Sequence, residues 1–166
     1  MYFGVDSDTL IKITKAGAKE PVASVANLVV PPEVERETVE EGKEGEFPDA
    51  LEIERNIEKN ALDSSETPRE EETENVIEKL GLGGGEADVF RLYRAGKCES
   101  VVSDDQKFLD LMERLGVPYI SSAALIVYAW RVGELSRGEC REYLEKMKHM
   151  ISEEEYQLTL HELERG

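Results

Sequence analysis

Val101 and Val102 read as the end of a buried strand that runs straight into Ser103, Asp104 and Asp105, after which Phe108, Leu109, Leu111, Met112 and Leu115 recur at helical spacing. The same order stands at the N-terminus, where the short aromatic and β-branched stretch 1–5 ends at Asp6-Ser7-Asp8 ahead of Leu10, Ile11 and Ile13. A chain that repeats strand, polar turn and helix is constrained to parallel strands joined by right-handed crossovers, with helices covering the sheet. Every strand then ends on the same edge, and ligands of such sheets bind in the crevice beyond that edge. A strand that delivers acids to this rim is a functional candidate, although one acid in each turn is also what a helix N-cap requires.

The remaining stretches extend the pattern. Residues 23–30 read as a helix end followed by a second strand, closed by Pro31-Pro32 because proline has no N–H for a ladder or helix interior. The helix expected over 33–41 places Val34 and Glu37 on one face, so that Glu37 sits at the edge of the buried side, while Glu35 and Glu41 are solvated. A helix carrying Leu51, Ile53 and Ile57 follows, then a short extended piece near 61–62. The acidic stretch 64–74 reads as an exposed turn and the first turn of a helix that Gly81 ends. The glycines at 83–85 open a further helix bearing Glu86 and Asp88. No Gly-Lys-Ser/Thr follows them, so a phosphate loop is not supported, and acids at a helix start suit capping or a cation equally.

A strand over 100–103, a helix closed by Gly116 and a strand over 117–120 lead to Ser121-Ser122. These serines cap a helix over 123–132 that is apolar nearly all round, Trp130 included, and is expected to pack centrally or against a second copy of the chain. Ser136 and Ser152 open two final helices, and Ser152 with Glu155 forms a capping-box pattern. The chain thus reads as one domain, 1–166, with 134–166 as a helical C-terminal extension.

Composition narrows the function. Thirty-seven acids against 20 basic residues give a formal charge of −17, which disfavours a sequence-independent nucleic-acid coat but not a nuclease, because bound cations reverse the local field of a carboxylate cluster. Cys98 and Cys140 have no metal-ligand spacing and read as reduced thiols. His149 and His161 lie far from any nucleophile motif. No apolar run is long enough for a membrane span or signal peptide, so the expectation is a soluble, cytoplasmic protein.

In a parallel sheet Asp6 and Asp104 share the rim, with Glu37 and Asp88 on helices that can lean over it. Such an oxygen-only set matches Mg²⁺ or Mn²⁺ better than zinc. Without an ion these acids raise one another's pKa; with one, the site can activate water and stabilise the leaving oxygen of a phosphodiester. Ser7 and Ser103 are candidates to hydrogen-bond the acids, and each is equally readable as a turn serine. A receiver-like phosphoacceptor is a weaker alternative, since the acids also occupy helices and no lysine follows a late strand in a switch position.

The segments Val5-Asp6-Ser7-Asp8-Thr9-Leu10-Ile11, Pro32-Glu33-Val34-Glu35-Arg36-Glu37, Gly85-Glu86-Ala87-Asp88 and Val102-Ser103-Asp104-Asp105 occur in the order found in the PIN-domain family. The chain resembles small prokaryotic members over most of residues 1–132, most closely in its second half. The resemblance implies a three-layer α/β/α sandwich around a central parallel sheet and a Mg²⁺- or Mn²⁺-dependent ribonuclease. Asp6, Glu37, Asp88 and Asp104 would be its catalytic and metal-site acids, with Glu86 and Asp105 as further ligands. It also implies an RNA substrate, a homodimer and, for a toxin of a toxin–antitoxin pair, an antitoxin protein as partner. Arg91, Arg94, Lys97 and Lys107 are the basic residues nearest that site in sequence. The alternative is a non-catalytic module that keeps the fold and dimerises or binds a protein partner.

Overall fold

In the computed structural model, which describes residues 1–31, 63–64 and 69–166, the first strand, β1 (Tyr2–Val5), lies between strands from opposite halves of the chain. It pairs in parallel with β2 (Asn27–Val30) on one side and with β4 (Ser100–Val102) on the other. Two shorter strands, β3 (Asp63–Ser64) and β5 (Tyr119–Ile120), extend the sheet outward, so that its order is β3-β2-β1-β4-β5 with every pairing parallel. The parallel, helix-covered sheet expected from the sequence is the observed architecture. Strand β3 begins just past the extended piece read at 61–62, which lies outside the described residues.

Among the described residues the helices are α1 (Ser7–Ala16), α2 (Lys19–Val25), α3 (Glu71–Leu80), α4 (Gly84–Arg94), α5 (Gln106–Arg114), α6 (Ser122–Arg131), α7 (Arg137–Met147) and α8 (Glu153–Arg165). A strand's side chains alternate between faces, and β1 shows what covers each. Phe3 meets the Tyr128 ring of α6 edge-on at 5.6 Å. Gly4 faces the opposite layer, where a Cβ would stand 2.9 Å from Cys98 Sγ and 3.4 Å from Val89 Cγ1 of α4. Both faces are therefore buried, as parallel sheets require. Phe3, Val5, Leu28, Val30, Val101 and Val102 belong to one core with the apolar faces of α1, α6 and α7.

Local chemistry sets the helix boundaries. Gly81 ends α3 in the left-handed conformation at φ 67°, where its N–H reaches back to the Glu78 and Ile77 carbonyls. Ser121 caps α6 and Ser136 caps α7, the latter with a full capping box to Glu139. The box expected at Ser152 is half formed. Ser152 accepts from the Glu155 N–H, but the Glu155 carboxylate instead takes the hydroxyl of Ser121 and so ties the start of α8 to the start of α6.

Helix α6 resolves as centrally packed. It touches α1, α2, α7 and α8, and Ala123, Leu125, Ile126, Val127 and Ala129 are buried, so the chain's own C-terminal helices cover it. Among the described residues no helix is long and apolar enough to cross a membrane.

Candidate functional site

The strand order places a topological switch between β1 and β4: from β1 the chain moves to β2 on one side, and it later returns to β4 on the other. Helices that leave two such neighbouring strands on opposite faces open a crevice at the strands' carboxyl ends. The register sets Val5 against Val102, so the next residues, Asp6 and Ser103, meet at that crevice. Ser103, fully buried, donates its hydroxyl to Asp6 Oδ2 at 2.5 Å and accepts the Asp105 N–H at 3.2 Å.

Asp6 serves two ends at once. Its Oδ1 accepts the Thr9 N–H at 2.9 Å, making it the N-cap of α1, while Oδ2 faces Ser103. The carboxyl is only 7% exposed. Burial pushes its pKa above the ordinary carboxylate value, the hydrogen bonds from Ser103 and Thr9 pull the other way, and the Asp8 charge adds to the rise.

Asp104 is gripped from two directions. The Ser122 N–H donates to Oδ1 at 2.9 Å, and the Ser122 hydroxyl to Oδ2 at 2.6 Å, so the first residue of α6 holds the carboxylate with backbone and side chain. Lys12, one helix turn past Asp8 on α1, binds Oδ2 of Asp104 at 3.1 Å and Asp8 at 2.7 Å. Burial draws the Lys12 ammonium down, but Asp8 and Asp104 more than offset this, and its pKa is raised. Asp105 caps α5 by accepting the Phe108 N–H at 2.9 Å.

These residues line one open cleft of about 420 Å³. Asp6, Asp8, Asp104 and Asp105 form one wall, and Gly83, Gly84 and Gly85 with Glu86 form the other. Neither Glu86 nor Asp88 caps α4, whose N-cap is Gly83 with no side-chain cap bond. Glu86 is half-buried, and its pKa is raised first by burial and then by the charges of Asp105 and Asp6. Negative charge from three elements therefore converges on one space.

Asp88 has a different setting. It is buried on α4, accepts from Arg91 at 2.6 Å and does not line the cleft. Arg91 also binds both oxygens of Glu74 on α3, at 2.6 and 2.8 Å, which raises the guanidinium's pKa and lowers that of Glu74. Arg94 pairs with Glu72. Two of the four basic residues read as flanking the site are thus engaged between α3 and α4, and among the described residues Lys12 is the cation that pairs with cleft acids. Glu37 and the helix expected over 33–41 lie outside the described residues.

The donor set suits a hard divalent cation in kind, its side-chain donors being carboxylate oxygens. Among the described residues, no three acids stand close enough together to hold an ion by themselves. Sequence reasoning missed Ser122 and Lys12. The signal for Ser122 was the doubled serine after β5, where the first hydroxyl caps the helix and the second is left for another partner. Lys12 carried no signal, because its partner Asp104 is 92 residues away.

No curated protein matches the chain. A family model described as PIN domain matches residues 4–165, a span that includes every described helix and every strand residue from Gly4 on. With that match and a parallel sheet bearing its acids at the β1/β4 switch, the chain belongs to the PIN-domain family.

Proposed function

We propose that the protein is a Mg²⁺- or Mn²⁺-dependent ribonuclease acting at the Asp6/Glu86/Asp104/Asp105 cleft. The family's fold is of nuclease type, and one observation carries the finer reading: carboxylates from three separate elements face a single cleft at the switch point, two of them with raised pKa values. Helix capping accounts for Asp6 and Asp105, but Glu86 caps nothing and still faces the same space. A divalent ion there would supply Lewis acidity for water attack and for the departing oxygen of a phosphodiester.

The chain's own residues do the positioning. Ser103 and the Thr9 N–H fix both oxygens of Asp6, and Ser122 fixes both oxygens of Asp104, so the two carboxylates are held before substrate arrives. Lys12 leaves Asp104 less negative on its α1 side. The open glycine wall lets an extended polyanion approach Glu86 and Asp6 closely.

Purified protein incubated with diverse RNAs should show Mn²⁺-stimulated cleavage that Asp6→Asn and Asp104→Asn abolish. No cleavage of any RNA, or cleavage indifferent to both substitutions, would sink the reading. The second reading, a non-catalytic module, draws on the Lys12–Asp104 ion pair and on the absence of a preformed three-acid ion site among the described residues. Calorimetry detecting no divalent-ion binding would favour it. A toxin role rests on the resemblance alone, and growth arrest on induced expression would test it.

A further inference from the structure

A second cavity of about 200 Å³ shares Asp104 with the acid cleft, and Lys12 stands on its wall. Its apolar side comes from Leu109 of α5 and from Met150 and Ile151, in the turn between α7 and α8. It therefore exists only because the C-terminal helices fold back beside the sheet's rim. At this volume, below the ~300 Å³ of typical small-molecule pockets, it suits a single ring system better than a whole nucleotide.

Its polar rim is acidic or neutral, with acceptors on Asp104, Gln106 and Glu155. Glu155 gives one carboxylate oxygen to the Ser121 hydroxyl and keeps the other. Gln106 gives one amide N–H to Asp110 at 2.8 Å, leaving its carbonyl and a second N–H. The positive exception is Lys12, whose ammonium has three donors and commits two, to Asp8 and Asp104. A ligand that fits is flat, carries N–H donors on one edge and bears an anion that can reach the remaining lysine donor.

We propose that this cavity is a nucleotide subsite that takes the base next to the scissile phosphate, with Leu109, Met150 and Ile151 against its face, Glu155 and Gln106 reading its N–H edge, and Lys12 on its phosphate. The inference rests on the ribonuclease reading and deepens it by assigning a base preference. Guanine, with adjacent ring and amino N–H groups, matches a carboxylate acceptor best, whereas uracil has no amino group to offer. Asp104 lines both the subsite and the cleft, and Lys12 bonds it and Asp8, so the two spaces adjoin.

The test uses metal-free full-length protein titrated with GMP, UMP, guanosine and inorganic phosphate, followed by NMR and calorimetry. GMP should perturb Leu109, Met150 and Ile151 and bind about tenfold more tightly than UMP. Guanosine should bind more weakly than GMP through loss of the Lys12 contact. Ile151→Trp and Met150→Trp, at half-buried positions of the turn that lines the cavity, and Glu155→Gln should each weaken GMP by about tenfold. Equal GMP and UMP affinities, or GMP binding untouched by both tryptophan variants, would overturn the subsite. Cleavage assays separate the two ideas. RNA cleavage indifferent to the flanking base removes the subsite and leaves the nuclease; GMP bound at Ile151 with no RNA cleaved removes the nuclease and leaves a nucleotide site.

Discussion

The Ser103 hydroxyl and Asp6 Oδ2 lie 2.5 Å apart although 97 residues separate them in the chain. The parallel register of β1 with β4 brings them together, and the same hydroxyl receives the Asp105 N–H, so one buried side chain aligns two cleft acids. Ser103→Ala should remove that alignment and leave Asp6 with less hydrogen bonding in a buried position. We expect a loss of ~1–3 kcal/mol in urea unfolding and a fall of about 10–100-fold in metal affinity or cleavage rate. Unchanged stability and rate would show that Asp6 is positioned by the α1 cap alone.

Asp6→Asn should do the opposite to stability. Asparagine caps a helix as well as aspartate does, so the Thr9 bond survives while the buried charge disappears. The variant should unfold at higher urea concentration than wild type at neutral pH, yet lose cleavage by more than the ~10–100-fold typical of an outer hydrogen-bond partner. A variant less stable than wild type would mean that the Asp6 charge is compensated in the fold.

The same acids give the metal-free protein a pH dependence of definite sign. Folded Asp6 and Glu86 bind protons more tightly than the unfolded chain does, so their contribution is full below the ordinary values of 3.8 and 4.5 and is lost as pH rises through the raised folded values. Urea midpoints measured across that range should fall less steeply in Asp6→Asn than in wild type. Added Mn²⁺ should restore stability on the high-pH side in wild type. Parallel curves for the two proteins would contradict the shift at Asp6.

Arg91→Met tests the clasp between α3 and α4. It strips the buried Asp88 carboxylate of its arginine, for which ~1–3 kcal/mol of destabilisation is expected. It also removes the partner that lowers the Glu74 pKa. The Glu74 contribution is present above its ordinary value of 4.5 and is lost as pH falls through the lower folded value, so wild type and variant should converge at acid pH. A constant difference at every pH would place the effect in packing rather than charge.

Gly4→Ala should cost ~1–3 kcal/mol, because the added methyl meets Cys98 Sγ inside normal contact distance. Cys98→Ala removes that sulfur, and the double variant should recover much of the loss as a coupling energy. Additive losses would locate the strain at Val89 instead.

The parts of the site legible in the sequence are those that the sheet dictates. Asp6 and Asp104 had to share a rim because parallel strands end on one edge, and the helices that follow had to start there. Arg91 was read as a cation near the site because α4 alone was in view; its Glu74 partner sits on another helix, and interhelical rotation is not written in a periodicity. Glu155 was read as one half of a capping box on local spacing, whereas packing of α8 on α6 gave it Ser121. The all-round apolar pattern of residues 123–132 announced burial without naming what covers it, and α7 and α8 turned out to do so.

The hold that Ser122 on α6 exerts on Asp104 has a consequence for synthesis. A nascent chain that has emerged only through α4 carries Asp6 and Glu86 but neither Ser103, which aligns Asp6, nor Asp104 and the α6 residue that holds it. Assembly of the acids is thus a late event in the life of each molecule, and a truncation that stops short of Ser122 keeps every acid of the cleft yet leaves Asp104 without the two donors that hold it.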